Sequence, residues 1–122
     1  MPQGNLVIST IEDVTIVSFR EHTILDLGMV EGIGKQLYAL VDERALRKIV
    51  LDFRPVRFFS SQMIGVLLNL HKRASAIKGR VILASLQPDL YKVFKITRLD
   101  DVLEFAANED KAMDMFRAAP KA

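Results

Sequence analysis

Ser60-Ser61-Gln62 directly precedes a long apolar-periodic stretch that reaches Lys78, and in this 122-residue sequence it offers the residue types best placed for chemistry. A serine at such a position is a helix N-cap signal, because its oxygen can accept a bond from an otherwise unpaired amide. The same position faces the positive end of the helix dipole and is therefore suited to carrying a phosphate. The pair can thus be read as helix caps or as modification sites. Asp52 closes an apolar run, where it could line a cleft at a strand end or bond its own loop. Other candidates are weaker. His22 and His71 have no second histidine at helical spacing, so no metal site is expected. Gly32-Ile33-Gly34-Lys35 lacks the spacing of a phosphate loop. No Ser-His-Asp order or helical carboxylate pair suggests an enzyme.

The elements that must position these residues follow from periodicity. Leu6 to Ile11 and Val14 to Phe19 are β-branched runs around Glu12-Asp13, the pattern of a hairpin with an acidic turn. Met29 to Val41 has helical spacing, and Gly32 and Gly34 within it could permit close packing. Lys48 to Phe53 and Arg80 to Ser85 are near-continuous apolar runs, as expected of strands covered on both faces. Between them lies the serine-led helix, with Gly79 placed for its C′ position. Pro88 to Thr97 predicts a short helix and Val102 to Ala106 a last strand. A final helix is capped by Asn108, with Ala112, Met115 and Phe116 inward. The order β-β-α-β-α-β-α-β-α implies a single α/β domain over 1–122, its core at about 6–117. It would have a mixed, mostly parallel five-stranded sheet, about four helices and a short flexible C-terminal tail.

Along the serine-led helix, Met63, Val66, Leu67, Leu70, Ala74 and Ile77 form one stripe, and Ile64 and Leu68 widen it. A deeply packed helix explains this. A second reading gives Met63 an exposed apolar role beside the serines.

Composition narrows the function classes. Half the residues are apolar, 26% are charged, the net charge is +2, and there is no cysteine. That balance is globular, and it excludes disulfides, thiolate metal sites and a cysteine nucleophile. The densest basic cluster, Lys72, Arg73, Lys78 and Arg80, reads as a solvated helix end; nucleic acid is not expected as a partner. Met1 to Asn5 has neither the basic region nor the apolar run of a signal peptide. No apolar run approaches the roughly 20 residues needed to cross a bilayer. A cytoplasmic protein without membrane insertion is expected; nothing in the residues sets an oligomeric state.

The ordered set of segments resembles the STAS domain family. Ile49-Val50-Leu51-Asp52-Phe53 followed by Val56 to Leu68 is similar to that family's central strand, Asp-Ser-Ser-Gly-Leu-Gly type turn and apolar helix. Leu25-Asp26 and Val81 to Leu86 fit its flanking segments. Val93-Phe94-Lys95-Ile96-Thr97-Arg98-Leu99-Asp100 resembles its Thr-Gly-Leu-Asp segment, with Arg98 in place of glycine. The resemblance implies a non-enzymatic anti-sigma-factor antagonist that binds a serine-protein kinase acting as anti-sigma factor. By position the resemblance makes Ser61 the first candidate phospho-acceptor, with Ser60 the fallback, and phosphorylation there would break that complex. Ser60 stands where the family has aspartate, Gln62 replaces the second serine, and Met63 replaces glycine. Ser60, Ser61, Gln62, Met63 and Asp52 are the expected partner contacts. ATP would belong to the kinase, so no cofactor is expected in this chain. The family also implies an alternative, an accessory subunit of a lipid or anion transporter.

Overall fold

In the computed structural model, which describes residues 6–117, β1 (Leu6–Ile11) and β2 (Val14–Phe19) pair antiparallel. The two-residue turn between them places Glu12 and Asp13 at φ 51° and 64°, the left-handed backbone whose twist suits a tight hairpin. Acids stand here where Asn-Gly is usual, and each has a cation nearby. Glu12 accepts from Arg117 at 3.1 Å and Asp13 from Lys48 at 3.2 Å.

Three parallel strands continue the sheet: β4 (Lys48–Asp52), β6 (Arg80–Ala84) and β7 (Glu104–Ala106), in the order β1-β2-β4-β6-β7. Their near-continuous hydrophobicity has a direct cause. Ile49, Leu51, Val81 and Leu83 face a core shared with α1 (Leu27–Asp42), α2 (Ser61–Ala76) and α3 (Pro88–Ile96). Val50 and Ile82 face the other way, against Ala112, Met113 and Phe116 of α4 (Glu109–Arg117). Both faces are therefore covered, and alternation disappears from the sequence. The expected five-stranded α/β fold with four helices is the fold observed.

The differences lie at the joints. A second, two-stranded parallel ribbon pairs β3 (Thr23–Ile24) with β5 (Phe58–Phe59), elements too short to announce themselves. The last strand starts at Glu104, because Leu99–Asp101 forms a 3₁₀ turn before it. Helix α1 begins two residues earlier than periodicity suggests, because Asp26 caps it by accepting from the Gly28 amide at 2.7 Å. In α4, Met113 rather than Met115 joins Ala112 and Phe116 in the core; Met115 is half-buried. Asn108 caps that helix as expected, accepting from the Lys111 amide at 2.8 Å. Gly34 does lie at the α1–α2 contact, where an added Cβ would come 3.4 Å from Val66, but Gly32 faces open space.

At the end of α2 it is Lys78, not Gly79, that takes the left-handed conformation, with φ 63°. The amides of Lys78 and Gly79 donate to the carbonyls of Ser75 (3.0 Å) and Ala74 (2.7 Å), the double bond pattern of a Schellman end. Gly79 is needed for another reason. A Cβ there would lie 2.9 Å from both the Cα and the carbonyl oxygen of Arg47. The predicted tail, Ala118 to Ala122, and residues 1–5 lie outside the described residues.

Candidate partner-binding site

The serine turn sits where the chain leaves the C-terminal end of β4 and enters α2. Asp52, at that strand end, is buried, and its Oδ1 accepts from the Arg54 amide at 2.9 Å. It bonds its own loop, so a partner would meet the loop it shapes rather than a free carboxylate. Phe53 then turns into the core and stacks on Phe19 with ring centroids 4.5 Å apart. The chain returns through β5, whose pairing with β3 ends in a bond from the Ser60 amide to the Ile24 carbonyl at 2.9 Å.

Ser60 is the N-cap residue of α2 by backbone, with φ −78° and ψ 164°, but its hydroxyl makes no capping bond. That Oγ is buried and has no hydrogen-bond partner. Ser61, the first residue of the helix, is exposed, and so is Gln62. The pair thus divides: one hydroxyl is enclosed and the other is presented to solvent. Capping alone does not account for either side chain.

Met63 corrects an expectation. Its side chain is 0% exposed and belongs to the core with Leu67 and Leu70, so it cannot offer apolar surface to a partner. Helical geometry turns residue 63 inward once 61 and 62 face out. The apolar surface beside the serines comes instead from residues that periodicity does not mark. Phe58 is 59% exposed on the outer face of the β3–β5 ribbon, opposite Thr23, and Leu25, the residue after β3, is 60% exposed. Leu27 is 56% exposed and shares with Gln62, Val66, Tyr38 and Glu31 a groove of about 360 Å³ between α1 and α2. The signal available in the sequence was three large apolar residues next to turn or cap residues, outside any periodic face. The structure therefore brings together Ser61, Gln62 and an apolar rim, with Met63 buried beneath them, while Asp52 stays at the end of β4, bonded to its own loop.

The sequence profile of the STAS domain family matches residues 5–112. The chain belongs to this family. It is 30% identical over 112 residues to an anti-sigma F factor antagonist of Lysinibacillus sphaericus, covering 92% of each chain. An anti-sigma-factor antagonist (STAS) domain protein from Planctomyces limnophilus superposes with a TM-score of 0.79 at 25% identity, covering 90% of this chain and 95% of that one. The fold is also that of the Bacillus cell fate determinant SpoIIAA in its phosphorylated form, with a TM-score of 0.69, 23% identity, and coverage of 92% and 99%.

Two departures from the STAS pattern now have physical readings. Arg98, in place of the pattern's glycine, is left-handed at φ 63°, a conformation glycine adopts without cost. Met63, in place of a glycine, lies in regular helix, where no special backbone is required.

Proposed function

We propose that this STAS domain is an anti-sigma-factor antagonist that docks its partner on the Ser61–Gln62 face and is switched by phosphorylation of Ser61. The observation that carries the reading is an exposed Ser61 at the first position of a 16-residue helix, beside the exposed Leu25, Leu27 and Phe58. The 30% identical relative, named an anti-sigma F factor antagonist, supports the partner class. The partner is a serine-protein kinase that serves as the anti-sigma factor, and it brings the ATP.

The energetics favour a switch at this place. A phosphate on Ser61 adds about −1.5 to −2 charges and three acceptor oxygens. The free domain tolerates it, because the helix dipole and first-turn amides favour an anion there. A partner pressed onto the apolar rim has to desolvate that charge, which costs several kcal/mol when it is unpaired. At about 1.4 kcal/mol per tenfold in affinity, the complex dissociates. Ser60 is a poor acceptor by comparison, since its hydroxyl is enclosed.

Phosphotransfer from the cognate kinase and ATP, followed by mass mapping, tests this. Incorporation is expected in wild type and Ser60→Ala and lost in Ser61→Ala. A kinase active on another substrate that leaves this chain unmodified would sink the switch. Co-purification with a transporter ATPase or permease, and not with a kinase, would replace the antagonist reading with that of an accessory subunit.

A further inference from the structure

The opposite end of the sheet, where the parallel strands begin, carries a cation-lined cavity remote from the serine turn. Its volume is about 400 Å³, and it is lined by Arg47, Lys48, Lys78 and Arg80, with Asp13 at the hairpin turn and Phe116 of α4. Two of these cations are already neutralised. Lys48 pairs with Asp13 at 3.2 Å, and Arg80 makes a two-pronged pair with Glu104 at 2.6 and 3.0 Å. Arg47 and Lys78 have no acidic partner among the described residues. The cluster is not the one that chain position suggests. Arg73, close to Lys78 in sequence, is paired with Asp42 and stacked over Tyr38 elsewhere.

The backbone enforces this arrangement. The Arg80 amide donates to the Arg47 carbonyl at 2.7 Å, and Gly79 lies so close to Arg47 that a Cβ would not fit. The left-handed Lys78 completes the turn that brings its side chain to the same cavity. Arg80 is held over the Phe116 ring at 5.1 Å, which gives the cavity one apolar wall.

We propose that this cavity binds a phosphate group, with Arg47 and Lys78 as its charge partners. Two unpaired cations converging on one concavity match a doubly charged oxyanion better than a single carboxylate. The apolar wall suits an organic phosphate. The phosphate could be carried by a soluble phosphate ester or by a lipid headgroup, since both present the same chemistry.

The test is an amide NMR titration of the full chain with inorganic pyrophosphate at constant ionic strength, alongside sedimentation with phosphatidylcholine vesicles with and without phosphatidic acid. Saturable shifts centred on residues 47, 48 and 78–80 are expected, weakened about tenfold in Arg47→Gln and in Lys78→Gly. Lys78→Gly removes the charge while placing glycine at a left-handed position, so the variant unfolds at no lower temperature than wild type. Asp13→Asn removes the one carboxylate from the cavity lining and tightens binding. Shifts without sedimentation identify a soluble ligand. Sedimentation that needs phosphatidic acid and is lost in Lys78→Gly identifies a headgroup. If neither response occurs, or both survive in Arg47→Gln and Lys78→Gly, the site does not exist.

Discussion

The two ends of the sheet are built on opposite plans. At the C-terminal end of β4, the surface is carried by a two-residue ribbon and a helix start, and exposed apolar residues, Leu25, Leu27 and Phe58, stand among charged ones such as Asp26 and Arg57. At the N-terminal ends of β4 and β6, the surface is charged, and a close backbone approach between Arg47 and Gly79 holds it in place. In the first region the exposed side chains can be changed without touching the core. In the second, the cations and the packing that positions them share the same residues. The proposed protein partner and the proposed phosphate would therefore meet surfaces that differ in how firmly the core holds them.

This contrast can be broken deliberately. The largest effect is expected directly beneath the serine surface. Met63→Ala removes a fully buried side chain and should cost about 2–5 kcal/mol in urea unfolding, as a core position does. An unchanged midpoint would mean that residue 63 is not core. Next, Phe58→Ser, alone or with Leu25→Ser, should weaken binding to the anti-sigma factor by about ten- to a hundredfold, roughly 1.4–2.8 kcal/mol by calorimetry. Because both side chains are largely exposed, stability should change by less than about 0.5 kcal/mol. Gly79→Ala tests the other end: the Cβ clash with Arg47 should cost about 1–3 kcal/mol and also diminish pyrophosphate binding. Retention of full stability there would show that the two backbones are not in contact. Smallest is Arg98→Gly, which should raise stability by up to about 1 kcal/mol by relieving a left-handed non-glycine residue. A loss of stability would mean that the arginine side chain compensates for its backbone.

The sequence made the main sheet legible because burial on both faces leaves apolar runs at 49–51 and 81–84 that have no other explanation. It could not show β3 and β5. Each is two residues long, and each exists only because the other lies alongside, 35 residues away in the chain at Thr23 and Phe58. The partner rim escaped for the same reason. Leu25, Leu27 and Phe58 belong to no periodic face; they come together because β3 and β5 pair just before the starts of α1 and α2. Periodicity and capping place Ser60 and Ser61 at the head of α2, as observed, but neither they nor the resemblance say which hydroxyl is enclosed. The packed-helix reading of the Met63 stripe holds, and the second reading, Met63 as exposed surface beside Ser61, fails because helix geometry turns it inward. The basic residues were grouped by closeness along the chain, whereas Arg47 and Lys48 reach Lys78 and Arg80 through the pairing of β4 with β6.

The β3–β5 ribbon has a mechanical consequence. The segment entering α1 and the segment entering α2 are fastened to each other by the Ser60 amide and the Ile24 carbonyl, two residues before the Asp26 cap. Two helix entrances therefore share one hinge pin. The Ser60–Ile24 bond is the last of this set, after the bonds from the Arg57 and Phe58 amides to the His22 carbonyl, so a displacement of Ser60 and Ser61 loads it first. The starts of the two helices are thus tied to each other at the surface, outside the hydrophobic core.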